Sequence, residues 1–297
     1  LPSERLFDEA FLRRLERLAL IFRQSANSKM QGERRSNQRG QSVEFSDFRP
    51  YALGDDFRRI DWNAYARLER LFIKLFVAEE DATLHILIDN SRSMDWGKPN
   101  KLSYALQTAG ALGYIALVGL DRVTAITGAN GLDYANSFLP AIRGKQNAIK
   151  LFSFLLSITA SPGRIEPHGW LSAYAARPAN PGVVILISDL LSDGWESALS
   201  LLRSRGHDIT LIHLLSPDEA QPDMTGDFRL IDSESQAEIE VTADFETLER
   251  YQANLHAWQL GWRQFCRARG MTYQPVQTST PLEEMLFARL PKQGLLK

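Results

Sequence analysis

The 297-residue chain has a single cysteine, Cys266. No disulfide can form within it, and a reducing compartment suits it. Net charge is also scarce: 34 Lys and Arg against 36 Asp and Glu leave −2. That balance excludes a globally basic nucleic-acid binder. Long apolar runs are missing. The longest mostly apolar stretch, 105–120, is broken by Gln107 and Thr108, short of the ~18 uninterrupted apolar residues of a membrane span. It reads as a core helix. No secretory signal is read at the N-terminal end, so the expected location is cytoplasmic, with no transmembrane segment and peripheral membrane contact left open. Phosphate loop, dinucleotide fingerprint, His-Glu-x-x-His and Gly-x-Ser-x-Gly are all missing. The short strings Gly97-Lys98-Pro99 and Gly144-Lys145-Gln146 lack the Ser or Thr and the upstream Gly that a phosphate loop needs. Histidines number five. His85 and His213 fall inside predicted strands as core histidines, and His168, in a predicted loop, is the best candidate for a general base.

What is present fits an ordinary globular chain: 44% hydrophobic and 24% charged residues. Residues 5–24 carry Leu6, Phe7, Phe11, Leu15, Leu18 and Phe22 at three- and four-residue steps, which predicts an amphipathic helix docked on its own domain. Residues 25–42 are polar, and their Arg34, Arg35 and Arg39 have no interleaved aromatics. Residues 40–80 mix charges of both signs with aromatics. Planar Arg–carboxylate pairs there would form an internal lattice, with Trp62 and Tyr65 as core anchors.

From Leu84 the pattern turns regular. Strands are predicted at 84–88, 122–127, 132–138, 183–188, 208–214 and 271–276. Helices are predicted at 102–119, 146–158, 194–205, 244–268 (Asp244 as N-cap) and 282–290, with a polar hairpin across 228–232 and 237–241. Strands alternating with helices, apolar on both sides, predict an α/β fold with a doubly wound, mostly parallel sheet. Residues 1–80 read as an N-terminal helix and a charged, aromatic segment packed on the main domain, which spans 81–297.

The most informative stretch is Leu84–Met94, LHILIDNSRSM. A buried strand runs into Asp89-x-Ser91-x-Ser93, so one short loop presents a carboxylate and two hydroxyls. A hard divalent cation prefers such oxygens; a polar turn satisfying loop amides is the plainer alternative. A later strand ends in Ser188-Asp189. In open α/β sheets ligands gather at the carboxyl ends of strands near the switch point, so Asp89 and Asp189 become neighbours if their strands lie side by side. Ser188 and Asp193 are further oxygen donors.

Asp89-x-Ser91-x-Ser93 with Ser188-Asp189 resembles the von Willebrand factor A domain and its metal-ion-dependent adhesion site. The resemblance implies a Rossmann-like fold over about 82–290. It also implies direct ligation of the ion by Ser91 and Ser93, water-mediated or direct roles for Asp89 and Asp189, and an open position for a partner's carboxylate. The ion would be Mg2+, with Mn2+ or Ca2+ as alternatives. That pattern also calls for a loop threonine. Residues 161–171 contain none and Thr159 falls early, leaving either Glu166 as a substitute ligand or a set one ligand short.

A second, longer resemblance comes from Ser42-Val43-Glu44-Phe45, Arg49-Pro50-Tyr51, Gly54-Asp55-Asp56, Arg58-Arg59-Ile60-Asp61-Trp62 and Ala66-Arg67, followed by Glu79-Glu80-Asp81. It is similar to the bacterial family called domain of unknown function 58, over about 30–290. Membership implies a von Willebrand A-like partner of a MoxR-type AAA+ ATPase, acting in chaperone-like assembly, maturation or metal insertion, here in a short soluble form.

The expected function is therefore a non-enzymatic interaction module that offers its metal to an acidic residue of that ATPase or of another protein. Two alternatives stand beside it. One is a metal-assisted hydrolase using Asp89 and Asp189 with His168 as base. The other is metal-independent electrostatic docking through 217–249, where eleven acidic residues accompany one basic residue, Arg229.

Overall fold

In a computed structural model the residues described are 6–18, 43–52, 57, 60–78, 83–128, 137–161, 165–178 and 181–296. The chain divides into two compact units, one formed by 1–28 with 82–297 and the other by 29–81.

The larger unit is α/β. Its strands are β3 (Thr83–Ile88), β4 (Arg122–Thr127), β5 (Phe138–Arg143), β6 (Val183–Ser188), β7 (Asp208–Leu215) and β10 (Thr272–Gln277), in the order β10-β7-β6-β3-β4-β5. All neighbours are parallel except β4 and β5. The chain starts mid-sheet at β3, runs outward to β5, then crosses back to build β6, β7 and β10 on the other side. The topological switch point therefore lies between β3 and β6.

Strand residues alternate between two cores because successive side chains point to opposite faces. Ile86, Ile88, Ile185, Ile187, Ile212 and Leu214 enter one apolar cluster; Leu87, Val184, Leu186, Ile209 and Leu211 enter the other. The first face is covered by α3 (Lys101–Val118), α4 (Ala148–Leu156) and the terminal helical segment 282–292. A Cβ on Gly113 of α3 would press on Leu151 and Ile86, so the small residue there permits close helix–sheet approach. The second face is covered by α5 (Pro167–Ala175), α6 (Trp195–Ser204) and the last turns of α8 (Phe245–Ala268), which bury Trp262 and Cys266.

The N-terminal helix, described as α1 over 9–18, buries Leu15 and Leu18 in the first core, and Phe7 just before it meets both Phe11 and, edge to face, Phe152. Arg14 forks onto Glu283 at 2.5 and 2.7 Å. The described part of the apolar stripe, Leu6 to Leu18, is thus covered by this chain's own core, and 19–24, with Phe22, lie outside the described residues. The two core histidines have tyrosine partners, His85 with Tyr174 and His213 with Tyr273.

Of the strand predicted at 132–138, positions 132–136 lie outside the described residues. The described edge strand on this side is β5, 138–143, which begins at the predicted end. Pro140 breaks the apolar pattern of β5, and an edge strand tolerates it because an edge amide needs no partner. The loop expected across 161–171 contains α5, which starts on Pro167 behind the N-cap Glu166. His168 therefore sits in a helix's first turn, its Nδ1 3.4 Å from Ser172 Oγ.

In the smaller unit β1 (Val43–Pro50) pairs antiparallel with β2 (Phe72–Ala78). A seven-residue helix, α2 (Trp62–Leu68), stands between them, its first amides capped by Asp61 at 2.8 and 3.1 Å. Trp62 and Tyr65, expected as core anchors, are 61% and 45% exposed and meet edge to face. A helix this short buries no side chain of its own. Positions 53–56, 58, 59 and 79–82, part of the expected charge lattice, lie outside the described residues.

The β8–β9 hairpin (Gly226–Ile231 and Glu238–Ala243) forms a separate two-stranded sheet. It follows a one-turn helix, α7 (Pro217–Ala220). Among the described residues no helix is long and apolar enough to cross a membrane.

Candidate functional site at the switch point

Leaving β3, the backbone turns at once, because Asp89 Oδ1 accepts the amide of Ser91 at 2.9 Å. The following 3-10 turn, Arg92–Met94, is pinned by Met94, which is fully buried. Asn90 fastens the turn to the loop after α4: its Nδ2 donates to Thr159 O at 2.8 Å and its backbone carbonyl accepts Ser161 N at 2.7 Å. Thr159, early by spacing, is thereby brought beside the Asp89 loop.

Leaving β6, the chain turns through Leu190, whose left-handed φ of 59° is held by burial of its side chain. Ser188 Oγ takes the amide of Leu190 at 2.9 Å and donates to Asp89 Oδ2 at 2.6 Å. Asp89 N in turn donates to Ile187 O at 2.9 Å. The two strand ends are therefore stitched together, and the condition set by the sequence is met: Asp89 and Asp189 are neighbours, both almost wholly buried.

The hydroxyls of Ser91 and Ser93 lie 3.0 Å apart on the same rim. Glu166 does something else with its carboxylate. Exposed at the start of α5, it accepts the amides of His168 and Gly169 at 3.0 and 2.5 Å as an N-cap. Its Oε1 would lie 3.9 Å from a Cβ on Gly194, so it borders the loop after β6. Asp193 is exposed in that loop.

Two residues of the cluster were not foreseen. Lys101, the first residue of α3, has a fully buried side chain; its Nζ donates to Asp189 Oδ2 at 2.8 Å and to Glu219 Oε1 at 2.5 Å. Burial would depress the ammonium's pKa, but Asp189 and Glu219 outweigh it and raise it. A signal for Lys101 did exist. It is the only charged residue among the eighteen of α3, and it stands at the helix N-terminus, where the dipole disfavours a cation. Glu219 had no such signal, being one acid among many in 217–249. It belongs instead to a capping box with Ser216, and its side chain is only 20% exposed.

The electrostatics are lopsided. Asp189 has an ammonium beside it. Among the described residues Asp89 has no cationic partner, only the Ser188 hydroxyl and the amide and hydroxyl of Ser91. Burial first, and then repulsion from Asp189, push its pKa up to about 6. His213, next to Ser188 across the β6–β7 register, is driven the other way, down to about 4, chiefly by burial. No group of three or more His, Cys, Asp and Glu side chains converges among the described residues. Any ion held here therefore depends on serine hydroxyls as well as carboxylates. The donor set is hard, all oxygen, and carries uncompensated negative charge, which fits a divalent cation of the Mg2+ type. Adjacent ligands around an ion with bonds of ~2.1 Å stand ~3 Å apart, the separation of the two serine oxygens.

The sequence profile of a family described as "Protein of unknown function DUF58" matches residues 47–259. Two mycobacterial relatives, "Uncharacterized protein Mb1516" of Mycobacterium bovis and "Uncharacterized protein Rv1480" of Mycobacterium tuberculosis, are each 26% identical over 235 residues. The aligned part covers 77% of this chain and 73% of each relative. Among solved structures, BatB from Bacteroides thetaiotaomicron aligns at 15% identity and a TM-score of 0.42. An aerotolerance-related membrane protein from Bacteroides fragilis aligns at 16% and 0.43. Each alignment covers 72% of this chain and 98% of the other, at a likeness too remote to bear on function.

Proposed function

This chain belongs to the DUF58 family, and from that membership we propose that it is a non-enzymatic interaction module whose rim cluster docks a partner protein through a divalent cation. The observation that carries the reading is Asp89: a buried carboxylate with no cation beside it among the described residues, next to an Asp189 that already has one. Unpaired buried charge is costly, and a bound cation relieves it. Asp89, Ser91 and Ser93 would hold the ion, with Thr159, whose backbone carbonyl meets Asn90, and Glu166 as the candidates for a further ligand. When bound, Mg2+, Mn2+ or Ca2+ supplies a positive centre with room for a carboxylate from outside the chain. The residues of this chain orient that centre: Ser188 fixes one oxygen of Asp89, the Ser91 amide fixes the other, and Asn90 anchors the loop.

The resemblance of Asp89-x-Ser91-x-Ser93 and Ser188-Asp189 to the von Willebrand factor A motif suggests the partner class we propose, a MoxR-type AAA+ ATPase offering an acidic residue. The test is binding of such an ATPase to the immobilised chain. Binding in millimolar Mg2+ that disappears with EDTA and with Ser91→Ala/Ser93→Ala supports the reading. Binding indifferent to both refutes it.

A second reading has an observation of its own. The β8–β9 hairpin exposes Asp227, Asp232 and Glu240 within the acidic 217–249 stretch, beside the exposed Ile231 and Ile239. Docking there would fall steeply with salt and survive EDTA.

A further inference from the structure

We propose that Lys101 and Glu219 belong to the rim site as its affinity-setting pair: Lys101 is a resident ammonium that weakens the cluster's pull on a divalent cation, and Glu219 offsets it. The proposal rests on the cation reading of the same site.

Stability gives no account of why an ammonium is there. A buried ion pair contributes little compared with apolar residues of the same shape, and the N-terminus of α3 opposes a cation. Yet the ammonium is wholly enclosed and held by two carboxylates. Asp189 Oδ2 and Glu219 Oε1 hold it at 2.8 and 2.5 Å. Glu219 is itself immobilised: its Oε2 accepts Ser216 N at 2.7 Å, its amide donates to Ser216 Oγ at 3.2 Å, and its carbonyl accepts the Tyr251 hydroxyl of α8 at 2.6 Å. The loop before α3 is pressed onto the same turn, since a Cβ on Gly97 would overlap Ser216 Cβ.

The chemistry follows from charge. The Lys101 ammonium lies against the carboxylate that faces Asp89, so it repels an incoming divalent cation across a poorly screened interior. Glu219 cancels part of that repulsion. The pair leaves the site reversible, as a docking site that must release its partner requires. Neither side chain is assigned as a ligand: Lys101 would act through Asp189 and Glu219 through Lys101, as positioning and charge-setting residues.

Opposite signs distinguish this role from a structural one. Mn2+ affinity is measured by isothermal titration calorimetry on the wild-type chain, Lys101→Met and Glu219→Gln, with thermal unfolding recorded for each. Lys101→Met should bind Mn2+ about tenfold more tightly and Glu219→Gln several-fold more weakly. A wild-type chain that binds no Mn2+ removes the cation reading and this proposal together. A wild-type chain that binds, with both variants weakened or both unchanged, overturns the proposal and leaves the cation reading standing. If Lys101→Met does not fold, Glu219→Gln decides alone, and unchanged or tighter binding overturns the proposal.

Discussion

Replacing Asp89 by asparagine should stabilise the metal-free protein at neutral pH, an unusual outcome for a fully buried polar residue. The side chain keeps its shape and its oxygen can still accept the Ser91 amide; the charge is lost, and the contact with Ser188 reverses, the new amide donating to Ser188 Oγ where the carboxylate accepted from it. In the folded chain burial and Asp189 raise the Asp89 pKa from an ordinary 3.8 to about 6. At ~1.4 kcal/mol per pH unit this amounts to about 3 kcal/mol. Because the folded-state value lies above the unfolded one, the group's contribution is fully present below pH ~4 and is lost as the pH rises through 6. Asp89→Asn should therefore exceed the wild type by about 3 kcal/mol at pH 7.5 in EDTA, with the gap closing towards pH 4. Urea unfolding followed by tryptophan fluorescence across that range reads the difference, and subtracting the two curves cancels the titration of other carboxylates. Millimolar Mg2+ should narrow the gap at pH 7.5 by stabilising only the wild type. An asparagine variant that is less stable at pH 7.5, or whose advantage is the same at every pH, would refute the reasoning.

Lys101→Met leaves Asp189 and Glu219 facing each other without a cation, and should lose about 3–5 kcal/mol in the same urea assay; a loss below ~1 kcal/mol would mean the pair is not closed in solution. Gly97→Ala sets a side chain against Ser216 at a φ of 87°, and should cost about 1–3 kcal/mol, read as a lowered Tm. Cys266 is buried, and its thiol is pushed up to about 11 by desolvation, so the native chain should resist iodoacetamide at pH 8 and react only on unfolding, as mass spectrometry would record.

Legibility in the sequence followed the kind of signal each element carries. β3, β4, β6 and β7 are short β-branched and leucine-rich runs buried on both faces, and the structure places them within a residue or so of expectation. α8 was equally plain, with Asp244 capping Thr247 N at 2.8 Å. β5 was missed because Pro140 disqualifies a strand everywhere but at an edge, and edge position is a property of the finished sheet. α5 was missed because nine residues beginning Pro-His-Gly carry little helical periodicity. Asp89 and Asp189 were readable because each ends an apolar strand, and their adjacency then followed from the strand order. The Lys101–Glu219 contact joins residues 118 positions apart, and no spacing announces such a pair. Trp62 and Tyr65 were misjudged because bulk and aromaticity suggest a core, whereas the short α2 holds them outward.

The most direct measurement is an anomalous difference map from a crystal soaked in Mn2+. A single strong peak within ligand distance of the Ser91 and Ser93 hydroxyls, on the Asp89 side of the rim, is the predicted result. A map with no peak there at millimolar Mn2+, while the Asp89–Ser188 and Asp189–Lys101 bonds remain as described, would contradict the metal-docking role outright.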